Sequence, residues 1–276
     1  MTQIHPTAIV HPSAQIDDSV VIGPQCVIGP EVVIGPETVL HNHVTIQSLT
    51  TIGRDNHIYP FVVLGADPQD RKWRGERTTC EIGDGNCIRE HVTIHRGTDN
   101  GGGVTRIGSD NLIMVAAHIA HDCQLGSHIT IANQVMLAGH VRIEDGANAG
   151  GGAGVHHFVT IGTCAFVGGL ARITRDVPPF MIVEGNPAEV RAINSIAMTR
   201  GGYSADHIEA VKDAFKRLFR DNHTAMAERI ANVQQDYPDV PAVTRLCESL
   251  MATADGVHGR ALELTRSDDK RTVEVR

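Results

Sequence analysis

The chain is patterned by a hexad. Cut as HPTAIV HPSAQI DDSVVI GPQCVI GPEVVI GPETVL HNHVTI QSLTTI GRDNHI YPFVVL, every block ends in a branched aliphatic, from Val10 and Ile16 to Ile58 and Leu64. The register returns at Ile82, Ile88 and Ile94 and then slips by a residue. It runs again through Ile107, Ile119, Leu125, Ile131 and Leu137 to Val167 and Ile173. A hexad is a short strand and a turn, and neither can bury an apolar face alone, so such units are stable only when coils stack on one another. The aliphatic points inward, and small residues two places earlier, such as Cys26, Thr38, Cys80 and Cys123, fit beside it. Gly often follows, as at Gly23, Gly29, Gly35, Gly53, Gly83, Gly108, Gly126 and Gly162, and is expected to supply backbone conformations that other residues resist. With three hexads to a coil, residues three hexads apart stack in columns spaced by roughly 4.8 Å.

Two segments leave the pattern. The stretch 65–81, with Pro68 and the only tryptophan, Trp73, and the Gly-rich stretch 95–106 read as loops thrown out of the coil, where function tends to sit. From Pro187 the period changes. "SADHIEAVKDAFKRLFRDN" sets Ile208, Val211, Phe215, Leu218 and Phe219 at helical spacing behind Ser204, a natural N-cap. "TAMAERIANVQQDY" and "PAVTRLCESLMATA" read as further helices, and a charged, loose tail follows Gly259. The expected plan is a mainly β protein: a parallel β-helix over 1–186 and a small α-helical domain over 187–276.

Composition narrows the partners. A net charge of −8 with only 20% charged residues argues against nucleic acid and against an anionic membrane surface. No stretch is long and apolar enough for a membrane span, and "MTQIHPTAIV" lacks the basic and apolar regions of a secretory leader. The 6 cysteines have no paired spacing, which suits a reduced, cytosolic compartment and no cysteine-based metal site.

The histidines are the candidate chemistry. Ile119 is inward, so His121 lies outside the bore. Three hexads on stands Gly139, and three more bring His157; the same step stacks His140 on Asp122. His121, Asp122, Gly139, His140, His156 and His157 therefore form one external patch. An imidazole beside a carboxylate is a general-base unit, the carboxylate fixing the tautomer and stabilising the imidazolium. Adjacent residues face opposite ways along a strand, so Asp122 serves His121 only if the chain bends there. A Gly N–H one coil away can hold an oxyanion. Cys123 falls in the small-residue slot and reads as packing. His5, His11, His41, His43, His57 and His128 read as corner or surface residues. A second reading is zinc, held by three histidines across a subunit boundary as in the β-helical carbonic anhydrases, which are lyases.

"TIHRGT", "GGGVTRIGSDN", "HIAHDC", "LAGHV" and "DVPPFMIVEGNPA", in this order on this repeat, resemble the UDP-N-acetylglucosamine O-acyltransferases among the hexapeptide-repeat acyltransferases. The resemblance implies a left-handed helix and transfer of a hydroxyacyl chain from acyl carrier protein to the sugar 3-hydroxyl, the first step of lipid A synthesis, without a cofactor or metal. It implies His121 as general base, Asp122 as its orienting partner and Gly139 as oxyanion donor. Substrate contacts carry over to Gln69, Asp70, Lys72, His95, His118, His140, His156, His157 and Arg200, and the end of the acyl groove to Gly169. Family members are trimers with the site between neighbouring chains. His157 stands where the family usually has Gln, Pro187 replaces an often polar residue, and Gly201 follows Arg200 where a second basic residue is usual. An acceptor with a 3-amine stays open beside the 3-hydroxyl. Lys212, Lys216 and Arg220, spaced along one helix face, are expected to form the basic stripe on which the acidic carrier docks.

Overall fold

Each hexad yields a two-residue strand followed by a corner, as in Val21–Ile22, Val27–Ile28 and Val33–Ile34. In the computed structural model, which describes residues 3–221, 223–257, 259 and 262, these strands wind a left-handed parallel β-helix of triangular section. The first face runs from Gln3–Ile4 to Phe166–Val167, the second from Ile9–Val10 to Arg172–Ile173, and the third from Gln15–Ile16 to Thr160–Ile161. The hexad aliphatics from Ile22 to Ile173 fill the bore and are buried. The two loops leave the stack undisturbed, since Ile58 pairs with Ile88 and Ile88 with Ile113 across them.

The slot beside each aliphatic does more than fill space. Cys26, Thr38 and Cys123 each donate from the side chain to a carbonyl of the next coil, those of His41, Gly53 and Ala138. Asn56, Asn86 and Asn111 do the same and chain together, so this buried polar column is hydrogen-bonded throughout, as burial requires.

The glycines after the aliphatics have a different cause from the expected one. Gly23, Gly35, Gly83 and Gly108 do not have positive φ. A Cβ at Gly23 would fall 2.7 Å from the His41 carbonyl oxygen, and one at Gly35 would fall 2.7 Å from the Gly53 carbonyl carbon. They permit close stacking of coils. The left-handed backbone sits instead on the second residue of most corners, where Gln25, Glu37, Phe61, Asp122 and His140 all have φ near +60°.

Strands also reach deeper into the expected loops. Val63–Ala66 pairs with Thr93–His95, and Thr79–Ile82 with Val104–Ile107, leaving irregular chain only over 67–78 and 96–103. At the far end Met181–Gly185 adds to the first face and Ala188–Ile193 returns antiparallel to it. A hairpin with Phe180 and Met181 fully buried thus closes the last coil, and the first helix of the segment after Pro187 begins at Ser195. Among the described residues four α-helices follow: α1 (Ser195–Arg200), α2 (Ala205–Phe215), α3 (Met226–Asp236) and α4 (Pro241–Ala254). Ser204 caps α2 through the His207 N–H, and Val211, Leu218, Ile230, Val233 and Leu246 make a second core. The short α1 has no counterpart in the sequence pattern. Most of the charged tail after Gly259 lies outside the described residues.

Gly23→Ala is expected to cost about 1–3 kcal/mol, because neither contacting group is a flexible side chain. Gly154→Ala, where a Cβ meets nothing within 4 Å, is the control and should be neutral. Denaturant unfolding compares them; equal midpoints would mean the coils separate freely.

Candidate active site

Both loops leave the prism where the second face turns into the third, and the turns at His121–Asp122, Gly139–His140 and His157–Phe158 continue that corner upward. The column arithmetic holds: His140 N–H donates to the His121 carbonyl and Phe158 N–H to that of Gly139. Both loops and the histidine corner are gathered on one edge of the molecule.

His121 and Asp122 are the two residues of a corner, which supplies the bend that their adjacency needs. The left-handed backbone of Asp122, φ +61°, lets its carboxylate meet His121 Nδ1 at 2.7 Å. A carboxylate has only lone pairs to offer, so Nδ1 donates and Nε2 keeps its lone pair. The Asp122 side chain is 0% exposed and inward, not part of an outer surface. Its other donors come from the Gly-rich loop: Thr98 N–H reaches Oδ1 at 2.7 Å and the Thr98 hydroxyl reaches Oδ2 at 2.7 Å. The Asp122 N–H donates to Thr105 Oγ1 at 2.7 Å. Gly101 lies so close that a Cβ there would fall 1.9 Å from Asp122 Cγ.

Gly139 is fixed by the ring beneath it, for a Cβ would fall 2.6 Å from His121 Cε1. Other corners put Pro at this position, as at Pro12, Pro24, Pro30, Pro36 and Pro60, so the repeat never asks for an N–H there. Among the described residues the Gly139 N–H donates to no group. His140 stacks on Phe158 at 4.3 Å and puts Nε2 3.7 Å from Asp122 Oδ2.

His118 projects from the second face below this corner and bonds through Nδ1 to the Thr93 hydroxyl at 2.8 Å. Its ring meets His95 edge-on at 5.1 Å. Burial first, and then the charge of His121, lower the His118 pKa. Burial first, and then His118, bring His95 down to about 4. Both rings are neutral near pH 7. His95 Nδ1 is buried without a hydrogen-bond partner among the described residues, an acceptor waiting for a donor.

Beside His95, the buried Arg96 anchors the first loop by an ion pair to Asp67 at 2.5 Å and by its stack over Trp73. Gln69, Asp70 and Lys72 follow on that loop, Asp70 accepting the Lys72 N–H at 3.0 Å. His118, Met136, Gly154, His156 and Arg172 line a groove of about 470 Å³ along the second face, starting at the corner. His157 packs on His156, with ring centroids 3.9 Å apart. Gly169 lies at the opposite edge of that face, in the turn before Arg172–Ile173.

Arg200 is not brought to this corner. It lines a separate cavity of about 710 Å³ with His128, Asn148 and Phe166, on the first face and the corner that enters it, across the prism from His121. Lys212, Lys216 and Arg220 are all exposed, with Lys212 paired to Glu209 at 3.2 Å, a π-helical turn over Lys216–Arg220, and Arg220 donating to the Arg191 carbonyl at 2.8 Å. Cys123 is packing, as expected, its thiol pushed up to about 12 by burial. His121, Asp122 and His140 present ligand atoms within 4.8 Å of one another, but two histidines and a carboxylate of one chain are not the three-histidine set of the zinc reading. Thr98, Thr105 and Arg96 were missed. Their one signal was position, inside or beside "TIHRGT" and the Gly-rich run.

Residues 176–258 match the family model of UDP-N-acetylglucosamine O-acyltransferase, domain 2, and residues 13–48 match that of the bacterial transferase hexapeptide, six repeats. An acyl-[acyl-carrier-protein]–UDP-N-acetylglucosamine O-acyltransferase of Synechocystis sp. is 58% identical over 217 residues, 79% of this chain and 78% of its own. The solved structure of LpxA from Acinetobacter baumannii matches with a TM-score of 0.87 at 43% identity, over 91% of this chain and 97% of that one. UDP-N-acetylglucosamine acyltransferase from Arabidopsis matches at 0.81 and 34% identity, over 90% and 96%.

The His95 ring, resolved by NMR, should titrate at about 4, staying uncharged as pH falls through the ordinary histidine range. A midpoint near 6.5 would mean that water reaches the ring and that burial does not hold it uncharged below that range.

Proposed function

The chain belongs to the UDP-N-acetylglucosamine O-acyltransferases, and from that premise we propose that it moves a hydroxyacyl chain from acyl carrier protein to the 3-hydroxyl of UDP-N-acetylglucosamine, with His121 as general base. The observation that carries the proposal is the 2.7 Å His121–Asp122 bond, with Gly139 one coil above and an apolar groove leading away. His121 Nε2 takes the proton from the sugar hydroxyl as its oxygen attacks the thioester carbonyl. Asp122 stabilises the imidazolium that forms, and the Gly139 N–H holds the oxyanion. Collapse breaks the C–S bond, and the proton on His121 passes to the leaving thiolate. The sugar ester and the free carrier thiol are the products, so no proton or electron is left over.

Further parts of the reading follow from placement. His95 accepts a hydrogen bond from the sugar nucleotide, His118, His140, His156 and His157 surround it, and Gln69, Asp70 and Lys72 reach its nucleotide end. The acyl chain lies along the second face and ends at Gly169. Arg200 belongs to the same reaction only if it serves the corner of a second copy, since one chain holds it across the prism from His121. That division supports a homotrimer with shared sites. The exposed Met136 and Leu170, beside the groove, are apolar surface for a neighbour to cover. The unpaired cysteines, and the lack of a described helix that could cross a membrane, fit a cytoplasmic enzyme. Family membership sets aside the lyase reading and favours the 3-hydroxyl sugar over a 3-amine.

Two outcomes test this. His121→Ala should lose about 10²–10⁴ in kcat while keeping most substrate affinity. Asp122→Asn should lose less, because the base remains. If His118→Ala proves more damaging than His121→Ala in a carrier-to-sugar transfer assay, the assignment falls. Separately, a Cβ at Gly169 meets only ordinary contacts, 3.4 Å to the Gly151 carbonyl oxygen, so Gly169→Met should fold. It should move preference to shorter acyl carriers; an unchanged length profile would put the groove's end elsewhere.

A further inference from the structure

Thr98 places one donor on each oxygen of the Asp122 carboxylate, and the hydroxyl shares Oδ2 with His121 Nδ1. We propose that Thr98 is a positioning residue for acyl transfer, its hydroxyl fixing the Asp122 oxygen that orients His121; this rests on the reading of His121 as base. The carboxylate torsion is soft, with broad wells, so a single bond to His121 would let the plane swing. Two donors from one residue, one per oxygen, remove that freedom.

The loop is built to deliver them. Gly101 lies against the carboxylate where no side chain fits. Gly102 and Gly103, at φ +94° and +80°, turn the chain back in the left-handed region. Gly97 closes the base, where a Cβ would fall 2.2 Å from the Val104 nitrogen. Thr98 itself is buried and does not line the second-face groove. It acts through Asp122, not on substrate.

The hydroxyl also draws charge from Oδ2. Without it, more negative charge stays on Oδ2 and favours the imidazolium, while the freed carboxylate plane keeps the Nδ1–H bond for less of the time. The groups that share this environment are His140, 3.7 Å from Oδ2, and His118 and His95 from the second face. None of them replaces the lost donor to the carboxylate, since Thr98 occupies the loop side.

Thr98→Val, close in shape and keeping the N–H, tests the proposal against Thr98→Ser. Expected for Val is a fall in kcat of about 10–100-fold with KM for both substrates unchanged. The acidic limb of its pH–rate profile should move to higher pH, and Ser should restore both. The His121 Nδ1–H resonance, read by NMR without substrate, should exchange faster in Val and recover in Ser. Equal behaviour of Val and parent, or equal loss in Val and Ser, would overturn the role, as would a loss confined to KM or to melting temperature. If the parent transfers no acyl chain, the proposed function fails instead, and the Nδ1–H exchange alone decides whether Thr98 orients His121.

Discussion

A carboxylate taken wholly out of water must be met by donors or it neutralises, and Asp122 is met on both oxygens. Two donors belong to Thr98 and one is His121 Nδ1, while the Asp122 N–H is taken by Thr105. Remove the loop and the charge has no shell; remove the left-handed corner and the carboxylate cannot face the ring. The imidazole, the loop and the bend are therefore one unit, and the rest of the corner is arranged around it. Gly101 is bare because the carboxylate is there, and Gly139 is bare because the imidazole is there.

The repeat provides what a site needs at little cost in design. Stacking turns sequence-distant residues into neighbours within one strand spacing. The position that holds Pro in other corners, needing no N–H, becomes a free donor when Gly139 fills it. The face beside the corner, cut back at Gly154 and flanked by Met136 and Arg172, gives an apolar path away from the reacting atoms. What one prism cannot do is bring its own first face to its own His121 corner. Arg200 and His121 are separated by the body of the helix, which is why the proposed reaction involves more than one chain.

The parts of this that obey the period were legible in the chain. Ile119 fixed the facing of His121, and three-hexad steps placed Gly139, His157 and the pair Asp122–His140. The His121–Asp122 contact was legible only on the condition of a bend, since nothing in the hexad says which residue takes the left-handed conformation. The same gap misassigned the glycines, whose need is clearance between coils. Thr98 and Arg96 could not be read, because a loop's contacts follow no period. The π-turn over Lys216–Arg220, in the helix after Ser204, likewise lies outside what ideal helical spacing draws. Pro187 marked a change in pattern, but the change was a closing hairpin, which only the pairing of Ala188–Ile193 reveals.

The central claim is that Asp122 holds His121 with a lone pair turned to the substrate. Nitrogen-15 NMR of the His121 ring at neutral pH measures this directly, because the two neutral tautomers have distinct shifts. The account predicts the Nδ1–H form, with Nε2 unprotonated. A ring found as the Nε2–H form would have no basic nitrogen for the sugar hydroxyl, and the assignment of His121 as general base would be contradicted.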